Sequence, residues 1–101
     1  MHWIIVTRDK EGAGELRAKT REAHRAYIWR KDLPARLLLG APLTADDGAT
    51  SFGSWLLVEA PGRAAVEAFL AQDPYILAGL PADTQITALH NGFDASRVAP
   101  A

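Results

Sequence analysis

Residues 36–59 read RLLLGAPLTADDGATSFGSWLLVE, and they carry the clearest signal of fold class in the chain. It contains two apolar runs, at residues 36–44 and 52–59, separated by a segment rich in turn-forming residues at 46–50. The two runs predict strands, and the segment between them predicts the loop of an antiparallel hairpin. Because a lone hairpin is only marginally stable, the flanking elements must cover it.

Elements on both sides of this hairpin complete a symmetric order. Residues 3–7 (WIIVT) predict a first strand, and residues 85–90 predict a fourth. Residues 15–31 are good helix formers without proline, and residues 61–71 begin with Pro61, which favours the first turn of a helix. The order β-α-β-β-α-β predicts an α+β, ferredoxin-like fold: a four-stranded antiparallel sheet with both helices on one face.

Helical spacing divides the first helix into a core stripe and an edge. The stripe assigned to the core comprises Leu16, Thr20, Ala23, Tyr27 and Arg30. The edge beside it comprises Arg17, Arg21, His24 and Ile28. A brief helical turn is predicted over residues 73–79 and a loose polar tail over residues 94–101, so that residues 1–93 form a single domain.

The predicted strands also bear on assembly. A sheet that is covered on one side should alternate apolar and polar residues, but residues 3–6, 37–39 and 55–58 are apolar throughout. Two helices can cover only one face. The sequence therefore predicts a homodimer that forms through sheet-to-sheet packing.

Composition and charge exclude several function classes. The 101 residues are 49% hydrophobic, which suffices for one core, and the net charge of −1 lacks the basic excess of a nucleic-acid binder. The absence of cysteine excludes disulfides, thiolate metal sites and a cysteine nucleophile. His2 and His90 lack a metal-ligand spacing and no glycine-rich phosphate loop is present, so neither a metal nor another cofactor is predicted.

The same features predict a cytoplasmic protein. No run approaches the ~18 apolar residues of a membrane span. The N-terminal apolar run is too short for a secretory signal and lacks its basic start and cleavage site. No membrane partner is therefore predicted.

Two residues carry the strongest chemical signal, His24 within the first helix and Asp73 before the short turn. Imidazole can act as a base or an acid near neutral pH, and a carboxylate can fix its tautomer. Each residue also has a purely structural explanation, because His24 can be a boundary histidine and Asp73 followed by proline is a good N-cap. One carboxylate oxygen can cap the helix while the other accepts from His24, so the two roles are compatible.

Three further residues are candidates for substrate binding. Arg21 can hold an anionic group near His24, although a solvated charge is the commoner role of a helix arginine. Tyr75 can present its hydroxyl to a ligand or simply pack its ring. Ser51 and Ser54 flank Gly53, and either can line a pocket or serve turn chemistry.

The motifs taken together resemble the YCII family of YciI-like proteins. The resemblance rests on Arg21-x-x-His24, Gly40-x-Pro42, Phe52-Gly53, Asp73-Pro74-Tyr75 and Gly79, and it extends from the first strand to about Phe93. It implies a ferredoxin-like subunit of a dimeric α+β barrel and an active site built on His24 and Asp73. One departure is Pro34-Ala35-Arg36, where family members often have a glycine, and it is expected to alter the connecting loop and the pocket rim.

Three functions remain open at this stage. The resemblance implies a cofactor-independent lyase of the dehydrochlorinase type, or an isomerase, acting on a small organic acid or an aromatic breakdown product. The same pocket can instead serve a non-catalytic binder of small, anionic or aromatic molecules. The third possibility is a structural or regulatory dimeric domain, since ferredoxin-like folds host all three.

Overall fold

The hairpin at residues 36–59 forms one half of a four-stranded antiparallel sheet. The computed structural model describes residues 1–98. Its elements are β1 (His2–Asp9), α1 (Gly14–Ile28), β2 (Arg36–Thr44), β3 (Ser51–Glu59), α2 (Arg63–Ala71), α3 (Pro74–Leu77), β4 (Pro81–Ala88) and a 3-10 turn (Ala95–Arg97). The strand order β2-β3-β1-β4, antiparallel throughout, confirms the predicted ferredoxin-like α+β fold.

The core lies between one face of the sheet and the two longer helices. Alternate residues of β1 and β3 are paired across the sheet, Trp3 with Val58 and Ile5 with Leu56, and all four are buried. The helices contribute the remaining large core side chains, chiefly Tyr27, Ile28, Val66, Phe69 and Leu70. Burial of these apolar side chains is the main force that holds α1 and α2 on the sheet.

The opposite face of the sheet is also apolar, and we call it the open face. The register places Ile4 beside Leu57, Val6 beside Trp55, and Leu39 beside Leu57. Leu39 is 46% exposed, and Ile4, Val6 and Trp55 are partly exposed. No helix among residues 1–98 is long and apolar enough to cross a membrane.

Element boundaries differ from the sequence prediction, and the largest differences are at the end of α1 and the start of β4. Helix α1 ends at Ile28 rather than at residue 31, since Ile28 is the last α1 side chain that packs in the core. Strand β4 spans Pro81–Ala88 rather than residues 85–90, because its register with β1 begins at Asp9 opposite Pro81. The pattern missed this start because Pro81 and the exposed residues after it are typical only of an edge strand. The 94–101 tail contains the 3-10 turn, and residues 99–101 lie outside the described residues.

The orientation of α1 corrects the predicted core stripe. Of that stripe only Tyr27 is buried, whereas Ala23 and Arg30 are exposed. The buried face instead contains Arg17 and His24 together with Tyr27 and Ile28. Two polar side chains of a helix can face the interior only where other buried groups form hydrogen bonds or ion pairs with them. Those partners come from other elements, and they form the site described next.

Candidate active site

A cleft opens between α1 and the β2–β3 half of the sheet. Its volume is about 250 Å³, which is the scale of a small organic molecule. Helix α1 and Tyr75 of α3 supply one wall, and the two strands supply the other. The strand residues that line it are Gly40, Ala41, Pro42, Ser54 and Leu56.

His24 and Asp73 are joined by a hydrogen bond in the wall of this cleft. His24 Nδ1 lies 2.7 Å from Asp73 Oδ1, and the two side chains are 8% and 4% exposed. An ionised carboxylate can only accept, so Nδ1 carries the proton and donates it. In neutral imidazole the unprotonated nitrogen is then Nε2, which makes no hydrogen bond to any residue among 1–98. The pair therefore presents a base to the cleft.

The start of α3 holds Asp73 in place. Asp73 is the N-cap of α3, Pro74 follows it in the first turn, and Asp73 Oδ1 accepts from the Tyr75 backbone N–H at 3.0 Å. The same oxygen thus serves both the cap and His24, which corrects the expectation that the two roles would use separate oxygens. Gly79 ends this segment at φ 73°, a left-handed conformation that favours glycine.

Tyr75 packs between two charged or titratable groups. Its ring stacks on the His24 imidazole, with centroids 3.9 Å apart and planes inclined by 17°. The Arg17 guanidinium carbon lies 4.7 Å from the centroid of the same ring. Burial raises the pKa of Tyr75, and the nearby Arg17 and Arg21 only partly oppose this effect. The hydroxyl of Tyr75 is therefore protonated at neutral pH and can donate.

Arg17 is the principal residue of the cleft that sequence reasoning missed. Its Nε lies 2.6 Å from Asp9 Oδ2 and its Nη2 lies 3.1 Å from Asp9 Oδ1, so the pair is two-pronged. Nη2 also donates to Ser54 Oγ at 2.8 Å. The only sequence signal was that Arg17 lies two helical turns before His24 and so shares its face. Asp9, at the end of β1, carried no signal.

The remaining candidates divide between the cleft and its rim. Arg21 lines the cleft but is exposed, and Arg25 and Trp29 join it there without having been predicted. Within residues 1–98, neither Arg21 nor Arg25 is ion-paired. Ser54 lines this cleft, whereas Ser51 lines a neighbouring cavity.

The departure at Pro34-Ala35-Arg36 does not reach the cleft. Strand β2 contributes lining residues only from Gly40 onward, so residues 34–36 do not line the cleft, although Trp29 of the same connection does. Ala35 is instead buried in the core. The physical reason is that residues 34–36 enter β2 at the end that packs against the core, whereas the cleft lies farther along the strand. The expected effect of this segment on the pocket rim stays a prediction.

The chemistry available in the cleft is that of proton transfer and anion binding. His24 offers a base, the hydroxyls of Ser54 and Tyr75 offer donors, and Arg21 and Arg25 supply unpaired positive charge. Among residues 1–98, no three His, Cys, Asp or Glu side chains cluster as a metal site would require.

Comparisons with known proteins agree with this architecture. The family model of the YCII-related domain matches residues 1–90. The protein YciI of Escherichia coli is 34% identical over 85 residues, which cover 79% of this chain and 87% of that protein. The YciI of Shigella flexneri matches with the same figures.

A solved enzyme structure is similar over most of its length. It is the 5-chloro-2-hydroxyhydroquinone dehydrochlorinase from Burkholderia phenoliruptrix, in complex with 2,5-dihydroxybenzoquinone. The TM-score is 0.77 at 30% sequence identity, and the match covers 91% of this chain and 96% of that one.

Proposed function

The chain belongs to the YCII-related domain family, and on that basis we propose that it is a cofactor-independent lyase or isomerase. Its substrate is a small organic acid or a hydroxylated aromatic breakdown product, and His24 is its proton-transfer group. The observation that carries the proposal is the 2.7 Å contact between His24 Nδ1 and Asp73 Oδ1 beside a cleft of substrate size. Asp73 fixes the tautomer that leaves Nε2 free to accept a proton.

The reaction begins with transfer of a proton from substrate to His24 Nε2. The electron pair of the broken C–H or O–H bond stays on the substrate as an enolate or phenolate. In a lyase acting on a β-chloro acid, that pair forms a new double bond while chloride leaves the neighbouring tetrahedral carbon with its own electron pair. On a chlorinated phenol, the imidazolium first gives its proton to the ring carbon that bears chlorine, so that this carbon becomes tetrahedral and the phenolate oxygen becomes a carbonyl. His24 then takes the proton of a second hydroxyl, whose electron pair forms a second carbonyl and shifts a ring double bond to the chlorine-bearing carbon as chloride leaves. The imidazolium then returns its proton to water, and the net change is loss of HCl. In an isomerase, the proton returns to a different atom of the substrate instead.

Two observations favour substrates of this class. The cleft is lined by aromatic and aliphatic surface from Trp29, Ile28 and Leu56, which suits a planar ring. Arg21 and Arg25 add positive charge that favours a carboxylate or phenolate. A dehydrochlorinase of a hydroxylated ring is similar in fold and sequence, and this supports the lyase reading over the isomerase reading.

The direct test is an assay of the wild-type protein for HCl loss. Incubation with 5-chloro-2-hydroxyhydroquinone under anaerobic conditions is expected to release chloride at a saturable rate above the uncatalysed background. A panel of small enolisable acids in deuterated water, followed by proton NMR, tests the isomerase branch through exchange at carbon. Absence of both chloride release and exchange would contradict the proposed activity. If a ligand raises the melting temperature but is not turned over, the protein is a non-catalytic binder. If no ligand is turned over and none raises the melting temperature, the protein is a structural domain.

We also propose that the open face forms a homodimer by packing against its copy. The support is its apolar character, with Leu39 46% exposed beside the partly exposed Trp55. An unpartnered sheet face of this kind is typical of an interaction surface.

A cytoplasmic location stays a prediction of the sequence alone.

Leu39→Lys is expected to convert the dimer to a monomer, because a buried ammonium would lie in the interface. Light scattering during size-exclusion chromatography measures the masses of wild type and variant at micromolar concentration. Leu77→Lys is the matched control, since Leu77 is 66% exposed on α3 rather than on the sheet. A monomeric wild type, or a Leu39→Lys protein that stays dimeric, would rule out this interface.

A further inference from the structure

The hydrogen-bond roles at Ser54 leave its proton free for a ligand. Ser54 Oγ accepts from Arg17 Nη2 at 2.8 Å, and Ser54 is 5% exposed. A hydroxyl has one proton to donate, and within residues 1–98 no acceptor receives this one. Because a guanidinium only donates, Arg17 occupies a lone pair of the oxygen and cannot take the proton. Ser54 lines the cleft, so a ligand there can accept its O–H.

The Tyr75 hydroxyl has similar hydrogen-bond roles. Its Oη lies 3.5 Å from Arg17 Nη1, and the residue is 4% exposed. Within the described part of the chain its hydroxyl has no acceptor. Because burial raises the pKa of Tyr75, this hydroxyl keeps its proton and can donate it to an anionic ligand.

A single guanidinium therefore brings two donors together. Nη2 of Arg17 lies 2.8 Å from the Ser54 oxygen and Nη1 lies 3.5 Å from the Tyr75 oxygen, so one side chain holds both hydroxyls, and both residues line the cleft. The charge of Arg17 is balanced by Asp9, which lies 2.6 Å from its Nε. The donors can thus act without an unpaired charge buried beside them.

We propose that the hydroxyls of Ser54 and Tyr75 form an oxyanion site that binds an enolate or phenolate oxygen, with Arg17 holding both oxygens. The inference rests on the proposed function, because His24 Nε2 would generate such an oxygen by removing a proton. It names the substrate class as compounds whose negative charge develops on oxygen, namely phenols and enolisable carbonyl compounds. Hydrogen-bond donors that are already positioned where negative charge develops stabilise the transition state strongly.

The test measures binding of a phenolate probe rather than turnover. The probe is 4-nitrophenol at a pH where it is ionised, and 4-nitroanisole is its neutral analogue of similar shape. Ser54→Ala and Tyr75→Phe are each expected to weaken phenolate binding by about tenfold to a hundredfold, which is the range for a hydrogen bond to a charged group. Binding of the neutral ether should change by less than about threefold, since it depends on packing and not on a charge-assisted bond.

Tyr27→Phe is the matched control for Tyr75→Phe. The Tyr27 hydroxyl donates to the Phe69 carbonyl at 2.7 Å in the core and does not line the cleft. This variant should lose stability while binding the phenolate as wild type does. Calorimetric titration of each folded variant, checked by circular dichroism, supplies the affinities.

The possible outcomes separate this inference from the proposed activity. Selective loss of phenolate binding in Ser54→Ala and Tyr75→Phe supports the oxyanion site. Equal loss for both probes, unchanged phenolate affinity, or no phenolate binding by wild type overturns it. Because 4-nitrophenol undergoes no elimination, the result does not depend on whether the chain is an enzyme. Conversely, chloride release with unaltered phenolate binding in the variants would sustain the activity and refute the oxyanion site.

Discussion

Replacing His24 by glutamine is expected to lower the rate of chloride release or proton exchange by about 10²–10⁴-fold, the usual contribution of a general base. The glutamine amide can still donate to Asp73 Oδ1, so the buried carboxylate keeps its partner. The fold should therefore persist with little change in melting temperature. The amide nitrogen has no basic lone pair, however, and it cannot accept the substrate proton. Steady-state kinetics together with thermal unfolding measure both quantities on the same samples.

Two controls make this result specific. His90→Gln alters an exposed histidine whose Nδ1 accepts from the Gly92 backbone N–H, and it should leave turnover unchanged. His24→Ala should lose turnover as His24→Gln does, and it should also lose stability because Asp73 keeps only its bond from the Tyr75 N–H. Retention of wild-type turnover by His24→Gln would show that the imidazole is not the base.

Arg17→Met is expected to lower the free energy of unfolding by about 3–5 kcal/mol, the cost of breaking a buried ion pair. The side chains of Arg17 and Asp9 are only 8% and 7% exposed. Removal of the guanidinium leaves the Asp9 carboxylate in a low-dielectric setting without its counter-charge, and Ser54 Oγ loses its donor. Urea unfolding followed by fluorescence gives the free energies, with unchanged m-values as the check that the comparison is valid.

The chain contains a closely matched exposed pair. Arg30 Nε and Nη2 lie 3.0 and 2.6 Å from the two carboxylate oxygens of Asp32, the same two-pronged geometry as Arg17 with Asp9. Its side chains are 53% and 67% exposed, so water replaces the lost contact. Arg30→Met should therefore leave the unfolding midpoint almost unchanged. If the Arg17→Met protein is as stable as the Arg30→Met protein, the buried pair contributes no more to the free energy of unfolding than the exposed pair, and the prediction is wrong.

A double replacement tests the cause of the loss. Arg17→Met combined with Asp9→Leu removes both charges, so no carboxylate is left buried and unpaired. Part of the lost stability should return, because apolar side chains often substitute for a buried ion pair at little net cost.

The order of elements and the fold class followed from local pattern alone. Turn-forming residues at 46–50 separate two apolar runs, and Pro61 marks a helix start, so both signals lie within a few residues of what they specify. The sequence pattern predicts the start of the edge strand β4 less accurately. Residues 81–84 (proline, alanine, aspartate and threonine) lack an apolar strand pattern and form a strand because β1 offers a pairing partner.

The candidate site was anticipated only in part. His24 and Asp73 stood out as residue types suited to proton transfer, and the resemblance placed them together, but their contact needed α1 and α3 to pack side by side. Arg17 was assigned to the edge of its helix because hydropathy counts an arginine as a surface residue. Nothing near it in the chain indicates burial, since Ser54 lies 37 positions away and Tyr75 lies 58 away.

Local sequence pattern specifies the α+β frame with its two apolar sheet faces, and residue type identifies a histidine and an aspartate suited to proton chemistry. Periodicity and turn chemistry are local properties, and they survive without knowledge of the rest of the chain. The face of α1 that is buried depends on tertiary packing, which brings Arg17 to its partner Asp9 and to Ser54 and Tyr75 in the cleft. The reason is energetic: a buried charge is tolerated only where distant segments supply its partners, and folding alone brings those segments together.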